Sequence, residues 1–109
     1  MRAVSDPPER ALTTEVDEPI TTARPRSAPR YKVLIHDDPI TPMDAVVHVL
    51  RRVFGKKAPD ASRIMRRAHD TGIALVEIVS LEVAEFHVET AHGLARAWSL
   101  PLTFTIEAS

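Results

Sequence analysis

Tyr31-Lys32-Val33-Leu34-Ile35-His36-Asp37-Asp38-Pro39-Ile40-Thr41-Pro42-Met43 is the stretch on which the fold turns. Tyr31 to Ile35 is aromatic, β-branched and aliphatic enough to form a strand, and it stops at polar, turn-forming residues. Thr41-Pro42 reads as a helix start. The threonine hydroxyl can accept from the free N–H groups of a first turn, and proline at the first helical position loses no hydrogen bond. Two adjacent carboxylates, Asp37 and Asp38, are thereby held at a strand end, and Met43 brings a deformable apolar side chain near them. That combination suits a ligand with an amine at one end and a hydrophobic group at the other. The competing reading is a plain turn with both carboxylates in water, since aspartate favours turns.

Working outward, Met43, Val46, Val47, Leu50, Val53 and Phe54 form the stripe of a helix over Thr41 to Phe54. Asp44 in its first turn and Arg51 and Arg52 in its last suit the helix dipole, and Gly55 ends it. A second helix is predicted from about Pro59 to Asp70, with Ala61, Ile64, Met65 and Ala68 inward and Gly72 as its stop. His69 lies four residues after Met65, one turn further along a similar face, while Arg63, Arg66 and Arg67 point to water. Ile73 to Val79 is apolar apart from Glu77 and short enough for a buried or half-buried strand. Ser80 can cap a third helix whose inner stripe is Ala84, Val88, Ala91, Leu94, Ala95 and Trp98. Leu102 to Ile106 then alternates apolar and polar, the mark of a strand with one wet face. The order β-α-α-β-α-β predicts an α+β domain, a small three-stranded antiparallel sheet with one face packed on three helices.

A chain of 109 residues makes one domain at most. Residues 1–29 hold five of the nine prolines and no apolar periodicity, so a disordered N-terminal arm is expected ahead of a domain spanning 30–109. A formal net charge of -1 gives no electrostatic reason to expect nucleic acid or an anionic membrane. The absence of cysteine excludes disulfides, a thiolate nucleophile and a cysteine zinc site. No apolar run is long enough to span a bilayer or resembles a signal peptide, and acids at Asp6, Glu9, Glu15, Asp17 and Glu18 argue against a transit peptide. These features read as a soluble, cytoplasmic protein, with a monomer expected. Gly55, Gly72 and Gly93 stand alone, so no phosphate-binding loop exists and no cofactor is implied.

The histidines admit a second chemistry. His36 and His69 with Asp37 or Asp38 have the composition of a two-histidine, one-carboxylate metal site, which leaves open a small metal-dependent enzyme using His36, Asp38 and His69. His48, His87 and His92 read as surface or partly buried residues, and no Ser or Thr stands in a nucleophile context. A structural interaction domain, in which the carboxylates only make a turn, is the third possibility.

Over about residues 30 to 108 the sequence resembles the ClpS family of N-degron adaptors, which hand substrates to an AAA+ Clp unfoldase. The resemblance is carried by Tyr31-Lys32-Val33-Leu34 leading to Asp38, Thr41-Pro42-Met43, Met65 and His69 with Gly72 beyond, Leu81-Glu82-Val83-Ala84-Glu85, Pro101-Leu102 and Thr105-Ile106-Glu107. It implies a non-enzymatic adaptor for proteins that begin with Phe, Tyr, Trp or Leu, delivering them to a ClpA- or ClpC-like unfoldase. The family's grip on the free α-amino group falls on Asp37, Asp38 and His69. Its side-chain pocket falls on Thr41, Met43, Val46, Met65, Ala68 and Leu102, and its unfoldase contact on Glu82 and His87. The family's flexible extension, engaged by the unfoldase during delivery, corresponds to the arm. Five departures stand out. Asp37 replaces the usual asparagine, Pro39 and Ile40 replace a frequent acid and a polar or aromatic residue, Ala68 replaces a bulkier β-branched residue, and His87 replaces the usual lysine. A more negative amine site and a roomier pocket are expected.

Overall fold

The computed structural model describes residues 28–109, so the predicted arm falls outside the described residues up to position 27. Six elements follow: β1 (Tyr31–His36), α1 (Met43–Arg52), α2 (Ala58–Thr71), β2 (Ile73–Val79), α3 (Leu81–Ala97) and β3 (Thr103–Ala108). The order is the predicted β-α-α-β-α-β. β1 is the middle strand, with β2 and β3 both antiparallel to it. Its central place follows from Val33 and Ile35, which are 0% and 1% exposed. Val33 pairs with Glu77 and Leu34 with Leu75, leaving Val76 as the extra residue of a β-bulge that periodicity gave no hint of.

One face of the sheet carries the core, where Val33, Ile35, Ala74, Val76 and Phe104 meet Val49 and Leu50 of α1, Ala61, Ile64 and Ala68 of α2, and Ala84, Ala91 and Ala95 of α3. Small residues along α3 let that helix lie close to the sheet. On the opposite face Ile73, Leu75 and Ile78 remain exposed. The predicted half-buried character of β2 is therefore sided.

Local signals explain most boundaries. Gly72, at φ 92°, ends α2 in the left-handed conformation that glycine adopts without a Cβ clash, and its N–H donates to Ala68 at 2.7 Å. Ser80 caps α3 by accepting from the Val83 N–H. Two sequence expectations are corrected. Thr41 does not cap α1: the N-cap is Pro42, and the Thr41 hydroxyl instead donates to Asp38, a stronger, charged acceptor three residues back. Trp98, expected inside, is 43% exposed and tilts against His48 with ring centroids 5.3 Å apart, because α3 has ended one residue before it. Conversely, Val49 is wholly buried although it was absent from the expected stripe.

Candidate functional site

The run from Asp37 to Pro42 bridges β1 and α1, and Asp38 is what shapes it. Its Oδ1 accepts from the backbone N–H groups of Ile40 (2.9 Å) and Thr41 (2.7 Å), while its Oδ2 accepts from the Thr41 hydroxyl (2.7 Å). Burial works to raise the Asp38 pKa, but the hydrogen bonds from Thr41 and Ile40 outweigh it and hold the carboxyl below its ordinary value. Asp38 is thus an ionised organiser of the turn. Of a carboxylate's roughly four acceptor sites three are engaged, so about one remains for a ligand.

Asp37 is positioned differently. Its N–H donates to the Gly72 carbonyl at 3.0 Å, which ties the end of β1 to the end of α2. His69, in the last turn of α2, therefore comes to face it, with Nδ1 3.8 Å from Asp37 Oδ1. That separation is too long for a hydrogen bond. Both side chains are partly exposed, so their polar atoms are open to an incoming donor.

These groups stand on the rim of a hollow of about 360 Å³, within the size range of small-ligand pockets. Below the rim lie Val46, Ala68 and Leu102, all buried, and Met65, partly buried. Met43 and Ile40 flank the mouth at 41% and 67% exposure. All nine residues assigned from sequence to the amine site and pocket (Asp37, Asp38, His69, Thr41, Met43, Val46, Met65, Ala68, Leu102) line this one hollow. The wall also includes Ile35, His36, Pro39, Ile40 and Pro42, which were not assigned a place there. Ile40 was legible only as a departure from the family pattern.

The two residues assigned to unfoldase contact lie elsewhere, on α3. Glu82 is exposed in its first turn. His87 is folded back: its Nδ1 is 2.6 Å from Glu77 Oε2 on β2, and its ring meets the edge of Phe54. It does not reach outward as a lysine would.

The metal alternative finds no matching geometry. His36 Nε2 lies 2.7 Å from Thr105 Oγ1, the Asp38 oxygens are engaged in the turn, and among the described residues no three His, Asp or Glu side chains group as a metal site. No helix among them is long and apolar enough to cross a membrane.

With this geometry in hand, comparison with known proteins is specific. Residues 26–105 match the family model described as ATP-dependent Clp protease adaptor protein ClpS. The ClpS adapter protein of Desulfatibacillum aliphaticivorans is 41% identical over 105 residues, covering 95% of this chain and 98% of its own. That of Ruegeria pomeroyi is 42% identical over 87 residues, covering 80% and 77%. Among solved structures, ClpS2 of Agrobacterium tumefaciens bound to L-phenylalaninamide superposes with a TM-score of 0.72 at 33% identity, covering 74% of this chain and 98% of that one. A family match that runs from before β1 into β3, joined to the predicted fold and to relatives matched over most of their length, leads to one conclusion: the chain belongs to the ClpS family of ATP-dependent Clp protease adaptors.

Proposed function

We propose that the hollow between β1, α1 and α2 binds the first residue of N-degron substrates, gripping the free α-ammonium at Asp37, Asp38 and His69 and burying a Phe, Tyr, Trp or Leu side chain against Val46, Met65, Ala68 and Leu102. The observation that carries this reading is the pairing of open acceptors on the rim with an apolar wall below it in one cavity. L-phenylalaninamide, the ligand of the similar ClpS2, offers the same two chemistries, an amine and a benzyl group.

An ammonium donates up to three hydrogen bonds. Asp37 accepts one, the remaining Oδ2 position of Asp38 a second, and the neutral form of His69 a third; an imidazolium there would repel the ligand. Charge-assisted bonds of this kind are short and strong. Burying the ring or leucyl group adds roughly 1.5–3 kcal/mol. Thr41 and Met43 shape the mouth, and Met43 meets the Cβ branch of valine or isoleucine, which selects unbranched side chains. No bond is made or broken, so the protein acts as an adaptor and not as an enzyme.

In the same reading, residues 30–109 form the adaptor domain and residues 1–29 are the segment engaged during delivery by a ClpA- or ClpC-like unfoldase, in the cytoplasm and with a monomeric adaptor. Glu82 contributes to unfoldase contact. His87, held by Glu77, contributes through ring packing more than through an outward charge. The deciding experiment titrates labelled peptides beginning with Phe, Leu, Trp, Val or acetyl-Phe. The first three bind and the last two do not; equal binding of acetyl-Phe overturns the amine site. Removal of the arm spares peptide binding and abolishes accelerated degradation.

A further inference from the structure

Away from the hollow, the end of α1 gathers cations that local helix physics only partly explains. Arg51 and Arg52 occupy the last turn of α1, where the dipole favours them. Lys56 and Lys57 do not share that advantage. Lys57 is the N-cap of α2, next to the positive end of that helix's dipole, and makes no side-chain capping bond. Asp60, the acid in the first turn of α2, is engaged by Arg63 at 2.6 Å. Among the described residues no carboxylate lies within 4 Å of Arg51, Arg52, Lys56 or Lys57. These cations line one open depression together with His48 and, at the start of α1, Asp44. Arg52 also lines the neighbouring hollow, of about 290 Å³, formed with Val53, Phe86, His87, Thr90 and Leu94. Phe86 is 67% exposed there, a large apolar surface left open among the described residues. The formal net charge of the chain is -1, so this local field comes from placement and not from composition.

We propose that these two neighbouring hollows, which share Arg52 between the end of α1 and α3, together dock an acidic protein segment that carries one large apolar side chain. The apolar side chain enters between Val53, Phe86 and Leu94, and its neighbouring carboxylates meet Arg51, Arg52, Lys56 and Lys57. Charge favours this orientation: Glu82, Glu85 and Glu89 are exposed on α3 outside the lining of either hollow and repel an acidic segment, which is drawn instead to the α1 side. The same acids disfavour a nucleic-acid strand, whose evenly spaced phosphates would run against them. The two hollows share no lining residue with the N-terminal recognition hollow, so the inference does not depend on the amine-site reading, although His87, placed above in unfoldase contact, lines the apolar one.

The test uses the full chain and the peptide acetyl-Asp-Glu-Leu-Asp-Glu-amide, whose blocked N-terminus cannot use an amine site. Trp98, the one tryptophan, rests on His48 at the open depression and reports binding through its own fluorescence. Saturable binding that weakens with salt is expected. It falls about tenfold or more in Arg51→Glu/Lys57→Glu, and several-fold in Phe86→Ser or when the peptide's leucine becomes glycine, each by roughly the size expected for interface charges and a buried apolar anchor. Peptides beginning with Phe serve as the folding control, and their affinity stays unchanged in all variants. No binding of the acetylated peptide, equal binding of a lysine-containing peptide of the same length, or insensitivity to the charge reversal overturns the proposal. So does tighter binding of a single-stranded RNA oligonucleotide through the same residues.

Discussion

The backbone N–H of Asp37 donates to the carbonyl of Gly72 across 3.0 Å, and this bond joins the end of β1 to the turn that closes α2. It extends the β1–β2 ladder one step past the His36–Ile73 pair and sets Asp37 opposite His69. Gly72 reaches that position at φ 92°, in the left-handed region. A Cβ added there meets nothing within 4 Å, so the penalty for alanine is conformational and not steric contact. Gly72→Ala is expected to lose about 1–2 kcal/mol in denaturant unfolding. Affinity for Phe-initiated peptides falls with it, because relaxation of the turn moves His69 relative to Asp37. Full affinity in a destabilised variant would separate the turn from the site.

Asp37 and Asp38 are adjacent in sequence and are expected to fail in different ways. Asp37 makes no side-chain hydrogen bond within the fold among the described residues and faces His69 at 3.8 Å. Asp37→Ala should leave the melting temperature nearly unchanged and weaken peptide binding by about 1.5–3 kcal/mol, the range for hydrogen bonds to charged groups. Asp38→Ala removes three acceptor contacts from the turn and lowers stability as well as affinity. Calorimetric melting together with peptide anisotropy distinguishes the two. Identical profiles for both variants would refute the division of roles.

The outline of the fold was legible because its stops are local: Gly72 and Ser80 act on their own turns, and the alternation through Phe104 needs no partner to be read. The errors arose where a nearby group competed. Thr41 has the composition of a cap, but its hydroxyl donates to the Asp38 carboxylate instead. Val49, Val46 and Val47 cannot be ranked by a stripe alone, since only contact with the sheet decides which of these valines is fully buried. The site was less legible still. Asp37 and His69 are 32 positions apart (69 − 37), and the bond that aligns them is a backbone contact through Gly72 that periodicity does not encode. Family resemblance supplied that proximity.

Acid sensitivity should have two separate origins. His92 Nε2 accepts from the Phe104 N–H at 2.9 Å, joining α3 to β3. Burial, and then the Arg96 guanidinium, hold its pKa below the ordinary imidazole value. The folded state thus binds fewer protons than the unfolded state over the interval between the lowered value and about 6.5. Stability is complete above that interval and is lost as pH falls through it. Asp38 acts in the same direction lower down, its contribution being present above about 3.9 and lost as pH falls through its depressed folded value. Urea unfolding from pH 7 to pH 3 should show both slopes. His92→Gln flattens the upper one and Asp38→Asn the lower; an upper slope that persists in His92→Gln would assign it to another histidine.

Pocket size offers a test confined to the apolar wall. Ala68 is 3% exposed and lies on the same face of α2 as Ile64 and Met65, with its methyl group contributing to the hollow's lining. Valine at this position adds two methyl groups to a packed wall without altering charge. Valine is a poorer helix former, but its cost in propensity is only a few tenths of a kcal/mol. The added volume must therefore act on the occupant. A tryptophan side chain fills the space more completely than a leucyl group, so Ala68→Val is expected to reduce the affinity of Trp-initiated peptides by about tenfold while changing Leu-initiated ones by less than about threefold. Competition titrations with matched peptides measure the ratio directly. If Leu-initiated peptides suffer more, Ala68 is not what sets the size of the pocket, and Met65 or Met43, the two adaptable side chains of the lining, must determine it instead.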